Sequence, residues 1–310
     1  MIETIANREY LRRENQEGKT TAKKIIDETP KYPWYLKLIR FAFSTFGPLF
    51  PKAAAKQAIK LFSTPRRRAK HKVSDRIMEE ARVFEFMFKG KILKGYEWGS
   101  GTKNILLVHG WESRGTALRS FVPTLLAKGY KVVTFDAPAH GNSGGKQTNL
   151  LEFAGAIKAI INQIGGVEGI IAHSFGGAST VYALSQLQQT RRLKRLVLIA
   201  SPSRMIGAME DFLKLIRAPK TMEDEFYKIV KSLLEIPIED IDIAKLYDEV
   251  DVEKTMLIHD KGDRIVPFSS SERVAAGWKD IRFVVTEGYG HFEMVKDPKV
   301  VEMVGGFVGT

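Results

Sequence analysis

Residues 169–177 read GIIAHSFGG. The first five form a mostly apolar run, the pattern of a strand buried on both faces. A serine and a pair of glycines follow at once. A strand that turns directly into a helix holds the residue at its tip in strained backbone. Such a turn needs small neighbours two positions before and two positions after. Ala172 and Gly176 stand there, around Ser174. Ser174 is therefore expected beyond the carboxyl end of a strand, where open α/β sheets hold their ligands.

The same alternation extends in both directions. VFEFMF (83–88) alternates as a strand does, and KILKGYEW (91–98) follows Gly90 as its hairpin partner. NILLVHG (104–110), KVVTFDA (131–137), RLVLIAS (195–201), TMLIHD (255–260) and IRFVVTE (281–287) read as further strands. Helical stretches fall at 119–128, 150–164, 177–188 and 270–276. Strands alternating with helices predict an α/β fold, a mostly parallel sheet with helices on both faces. Residues 202–254 break the rhythm, because about fifty residues are too many for a simple crossover. Their apolar residues recur at helical spacing (Met209, Phe212, Leu213, Ile216, Phe226, Ile229, Leu233). They read as a helical cap over the sheet's C-terminal edge, with extra helices packed on the side as the competing reading.

A serine needs a base, and the base needs an acid to orient it. In this architecture the chain order is serine, acid, histidine. Only His259 and His291 follow Ser174 at any distance. His259 lies within the strand TMLIHD, where packing or support of the site is expected of it. His291 lies in the glycine-flanked loop EGYGHFEM after the last strand and is the expected base. Asp263 in HDKGDRIVP is the expected acid, with Asp260 as its competitor. Acyl transfer also needs donors for an oxyanion. The backbone N–H of Phe175, next after the serine, is one candidate. The backbone N–H of Trp111, in the loop HGWESRG, is the other, with His109 and Gly110 shaping that loop. His173 is expected to pack beneath the turn, and Asp136 and His140 to make structural hydrogen bonds. The histidines show no metal-ligand spacing, so no metal is expected.

These motifs carry a resemblance. HGW at 109–111, FDAPAHGNSGG at 135–145, AHSFGG at 172–177, GDRIVP at 262–267 and GYGHF at 288–292 occur in the order of the α/β-hydrolase superfamily. Residues 83–310 resemble that family. Two positions depart from its pattern, Ala172 and Ala139, each standing where a glycine is usual. The resemblance implies an eight-stranded sheet, a variable cap and hydrolysis without a cofactor. Haloalkane dehalogenases and epoxide hydrolases of the family carry aspartate at the nucleophile position. Ser174 points instead to an ester, thioester or amide. The expected function is a serine hydrolase acting on a small-molecule acyl ester or thioester. The alternatives are a ligand-binding, receptor-like protein on a hydrolase scaffold and a membrane-associated lipid hydrolase of the lysophospholipid or monoacylglycerol type.

The 310 residues carry a net charge of +12 and no cysteine, so disulfides and thiolate chemistry are excluded. The charge is concentrated. Residues 1–30 hold six Lys/Arg and six Asp/Glu, whereas residues 31–72 hold eleven Lys/Arg and no Asp/Glu. Residues 1–30 read as a loose helix or tail, and 52–62 as an alanine-rich helix. The expected organisation is an N-terminal helical and basic extension at 1–80 and a hydrolase domain at 81–310. MIETIANREYLRREN lacks the apolar stretch of a signal peptide, which leads to the expectation of a cytoplasmic protein, peripheral to a membrane at most. Three readings stand for residues 31–72: a surface for anionic membrane, a nucleic-acid contact that no recognised motif supports, and a segment docked on the core with its charges solvated.

Overall fold

In the computed structural model, residues 8–13, 34–69, 71, 76–187, 192–234 and 237–309 are described. In chain order the elements are β1 (Arg8–Arg12), α1 (Trp34–Phe46), α2 (Pro51–Phe62), α3 (Arg76–Glu79), β2 (Arg82–Phe88), β3 (Lys91–Trp98) and β4 (Asn104–Val108). A 3₁₀ turn at Gly115–Phe121 precedes α4 (Val122–Ala127), β5 (Lys131–Phe135), α5 (Leu150–Gln163), β6 (Gly169–His173), α6 (Phe175–Ser185) and β7 (Leu193–Ile199). Then come α7 (Met205–Ile216), α8 (Lys220–Leu233), β8 (Val252–Asp260), α9 (Ser269–Gly277), β9 (Arg282–Glu287), α10 (Gly290–Glu293) and α11 (Pro298–Val308).

The chain divides into two compact units. One comprises Met1–Arg12, Ser63–Arg204 and Asp242–Thr310, and the other Arg13–Phe62 and Met205–Ile241. The first unit is built on a nine-stranded sheet of order β1-β9-β8-β7-β6-β4-β5-β3-β2. Every pairing from β5 to β1 is parallel, and only β2 and β3 run antiparallel to their neighbours. Alternate strand residues face opposite sides. Ile105, Leu107, Val132, Ile171, Val197, Ile199, Met256, Ile258 and Val284 join one core with residues of α4 and α11. Their alternates, among them Leu106, Val133, Ile170, Leu198 and Leu257, are equally buried. That double burial is why the central strands read as continuous apolar runs.

Local chemistry sets the element ends. Phe88 pairs with Lys91 across a two-residue turn, and both Lys89 and Gly90 have positive φ, as a type I′ hairpin requires. The side chain of Asn149 accepts the Glu152 N–H and caps α5. Asp297 caps α11 ahead of Pro298.

Three expectations change. The sheet has nine strands rather than eight, because residues read as a tail form β1 on β9. REYLR has no apolar alternation, and as an edge strand it needs none. Its charged side chains also discourage further pairing. Arg12 reaches Glu287, and Glu9 receives Arg282. Second, the boundary at residue 80 is displaced, since Ser63 onward belongs with the sheet. Ser63 O accepts the Thr148 N–H at 2.9 Å. Third, the span 202–254 is split. Met205–Ile241 joins the second unit, whereas Asp242 onward belongs to the first. In that second unit, Leu213, Ile216, Met222, Phe226 and Val230 share a core with Phe43, Ala55 and Ala58. Residue 188, the last of the helix expected at 177–188, lies outside the described residues.

Removal of residues 1–12 should expose β9 as an open edge. The five-residue ladder, the burial of part of Leu11 and the surface ion pairs together contribute about 1–3 kcal/mol. Urea unfolding of the truncated chain should show that loss, with concentration-dependent aggregation. An unchanged midpoint would show that β1 contributes nothing.

Candidate active site

The site lies wholly within the sheet-bearing unit and is built on the β6–α6 turn. Ser174 has φ 55° and ψ −130°, a conformation costly for any residue with a side chain, on the order of 1–3 kcal/mol. Neighbouring backbone holds it there. The Ser174 N–H donates to Ile199 O at 2.8 Å, and Gly177 N–H donates to Ser174 O at 2.8 Å. The helix begins at Phe175, two residues earlier than the sequence suggests. Small residues are needed because the layers are close. A Cβ on Gly176 would overlap His109 O, and one on Gly177 would overlap Ser201 Oγ. Ala172, the departure from glycine, sits fully buried within β6 without disturbing its pairing to β7.

Ser174, His291 and Asp263 come together from three separate strand ends. Ser174 Oγ lies 3.0 Å from His291 Nε2, and His291 Nδ1 lies 2.7 Å from Asp263 Oδ2. Asp263 needs Nδ1 to carry the hydrogen, which leaves Nε2 to accept from the serine hydroxyl. The other carboxylate oxygen accepts the N–H groups of Ile265 and Val266 at 2.8 and 3.0 Å. His259 Nε2 lies 3.3 Å from Asp263 Oδ2 while donating to Val266 O. Burial alone would raise the Asp263 pKa. Hydrogen bonds from His259, His291 and the two amides outweigh it and hold the carboxyl well below the usual carboxylate range.

Asp260, the competitor, does not reach the imidazole. It accepts from Gly262 N–H, Thr286 Oγ1–H and Tyr289 N–H, and so pins the loop that carries His291. His173 packs beneath the turn as expected, and it does more. Its Nε2–H donates to His291 O at 2.9 Å, so the backbone of the imidazole loop is tied to the residue before Ser174. Of the two roles expected of His259, packing or support of the site, it takes the second toward Asp263.

The loop after β4 crosses in front of the serine. A Cβ on Gly110 would stand 2.9 Å from Ser174 Cβ, so this backbone approaches as it does only because Gly110 has no side chain. Trp111 follows, its ring 5.4 Å from that of Phe175. The Phe175 N–H opens α6 and has no partner within the helix. His109 Nδ1–H donates to Gly110 O, and its Nε2 accepts Ala137 N–H. His140 Nε2 accepts Glu112 N–H. Asp136 accepts from Gly115 N–H, Asn142 N–H and Tyr96 O–H, so it braces two loops at once. Ala139, with φ 64°, does occupy the left-handed conformation that suits a glycine.

His71 is the residue the sequence hid. It lies in a basic stretch with no motif around it. In the structure its ring is nearly buried, with Nδ1 2.9 Å from Thr116 Oγ1 and Nε2 2.9 Å from Asp136 Oδ2. Arg66 adds its N–H and Nε–H to Glu112 Oε1 at 2.7 and 3.1 Å. Arg66 and His71 therefore fasten the loop that carries Trp111.

Comparison with known proteins agrees with this architecture. Residues 105–249 match the model of the alpha/beta hydrolase family. No curated protein matches the chain in sequence. Among solved structures, an esterase of Pyrococcus furiosus superposes with a TM-score of 0.59 at 21% identity, covering 78% of this chain and 96% of that one. The thioesterase domain from the curacin biosynthetic pathway gives 0.54 at 18% identity, covering 74% and 99%. A bacterial membrane phospholipase A gives 0.56 at 17% identity, covering 88% and 95%. These likenesses show a shared fold.

Burial pushes the imidazoles of His109 and His173 down to about 3, helped by the neighbouring His140 and His291 respectively. Both rings are neutral in the folded protein and regain an ordinary pKa of about 6.5 on unfolding. Their contribution is therefore full above pH 6.5 and is lost as the pH falls toward 3, by about 1.4 kcal/mol per pH unit each. Urea unfolding at pH 7 and at pH 5 should differ by about 4 kcal/mol. Equal free energies would mean that these rings are charged or open in the native state.

Proposed function

We propose that the chain, whose residues 105–249 match the model of the alpha/beta hydrolase family, is a serine hydrolase cleaving an acyl ester or thioester. The observation that carries the proposal is the unbroken hydrogen-bonded line from Ser174 Oγ through His291 to Asp263. Ser174 Oγ attacks the acyl carbonyl while His291 Nε2 takes its proton. Asp263 keeps Nδ1–H pointed away from the serine and stabilises the imidazolium as it forms. The amides of Trp111 and Phe175 donate to the oxyanion of the tetrahedral intermediate. His291 then returns the proton to the leaving oxygen or sulfur, and the acyl group stays on Ser174. Water, deprotonated by the same imidazole, releases the acid and restores the serine.

Support also comes from what surrounds the base. His291 is held by its ring and by its backbone, so it needs little reorganisation on the way to the transition state. His173, 4.7 Å from it between ring centroids, stays neutral and adds no competing charge.

A fluorophosphonate probe should label the wild-type chain and spare Ser174→Ala. With p-nitrophenyl acyl esters, Ser174→Ala and His291→Ala should each lower kcat on the order of 10³-fold or more, and Asp263→Asn somewhat less. Absence of labelling in a folded wild-type protein would sink the hydrolase reading and favour ligand binding without turnover.

A further inference from the structure

The second unit contains a helix with two apolar faces. On α1, Leu36 and Phe43 are buried and Ile39 packs against the same core. Trp34, Leu38 and Phe41 follow the spacing i, i+4, i+7, which places them in one stripe on the opposite side. Phe46 at the end of α1, off that stripe, and Leu49 and Phe50 in the joint with α2 are exposed as well. These six residues are between 54% and 74% exposed. An apolar residue left in water is ordinary when it stands alone, but a ridge of six large ones within residues 34–50 marks an interaction surface.

The charge around the ridge selects the partner. Lys37 lies beside the stripe on α1. Lys52 and Lys56 form an exposed i, i+4 row at the start of α2. No acidic residue occurs anywhere from 31 to 72. A second copy of the chain would bring the same positive charge against this one. A protein partner would need an apolar face ringed by acids. A bilayer rich in anionic lipid supplies both requirements over any area: an apolar layer for the ridge and negative headgroups for the lysines. Tryptophan and phenylalanine are also the side chains that sit best at that boundary. No helix among the described residues is long and apolar enough to cross a membrane, so the contact would be peripheral.

We propose that the outer face of α1 and its joint with α2 form a docking surface for an anionic lipid bilayer. The ridge inserts to the depth of the headgroups, and Lys37, Lys52 and Lys56 hold the anionic surface. Each lysine near such a surface strengthens partitioning about fivefold at low salt, and the effect fades as salt shortens the screening length. The proposal is independent of the chemistry at Ser174.

The test is sedimentation of the full chain with phosphatidylcholine vesicles, with and without one-third phosphatidylglycerol. The anionic vesicles should bind the protein and the neutral ones should bind it far less. Leu38→Ser with Phe41→Ser should lower partitioning at least tenfold. Lys52→Glu with Lys56→Glu should abolish the preference for anionic lipid. Both pairs lie on exposed positions, and unchanged thermal unfolding would confirm that they fold. As a second readout on the wild-type chain, exposed Trp34 should shift its emission to the blue on adding anionic vesicles, and Trp34→Phe should remove that shift. Three results would overturn the proposal: no vesicle binding by the wild type, equal binding by wild type and both variants, or a concentration-dependent dimer that Leu38→Ser with Phe41→Ser dissolves. The last would assign the ridge to a second copy of the chain.

Discussion

The left-handed backbone of Ser174 is the constraint on which the site depends. A side chain in that conformation is raised away from its own strand and helix, so its neighbours must hold it rather than its own preference. The Ile199 carbonyl holds its N–H, and Gly110 lets the next loop press against its side chain. The same closeness demands Gly176 and Gly177, because both lie against backbone or side chain of adjacent strands. Strain at one residue thus propagates into requirements at several, and those requirements are what made the turn visible in the sequence.

Most of the sheet was legible because its central strands are buried on both faces, which writes an uninterrupted apolar run. Ser174, Asp263 and His291 were legible for a related reason: each follows the end of such a run within a few residues. Asp260 and Asp263 could be ranked but not separated by sequence, since one ends β8 and the other follows three residues later. Only the hydrogen bonds distinguish them, one carboxylate turned to the Tyr289 amide and the other to the imidazole. Three features left no trace. β1 pairs through its backbone and surface ion pairs and needs no apolar alternation. His71 gains its role from Asp136 and Thr116, which are distant in sequence. The division at Ile241 follows from which core each helix joins, and helical spacing does not encode that choice.

The basic segment, which a net charge would treat as one object, has two parts. From Ser63 to His71 it is fastened to the loops around the site by Thr148, Glu112 and Asp136. From Trp34 to Phe62 it belongs to the second unit, with an apolar outer ridge and lysines beside it. The shorter part is the more densely charged, with four Lys/Arg in nine residues against five in twenty-nine. The docked part uses its cations and its histidine to satisfy acids on the loops. The other part has no acid of its own within the stretch.

The pairing of β1 with β9 also bears on how the chain reaches its fold. Arg8 lies opposite Phe283 and Arg12 opposite Glu287, so this edge joins strands separated by nearly the whole length of the polypeptide. During synthesis the first strand emerges long before its partner exists. It must stay unpaired while β2 to β8 assemble, and its three charged residues, Arg8, Glu9 and Arg12, keep it soluble over that interval. Contacts of such separation form late and slowly, because the intervening chain must already be ordered. The edge that completes the sheet is thereby a timing device: it is sealed only when the strand leading to His291 has been made.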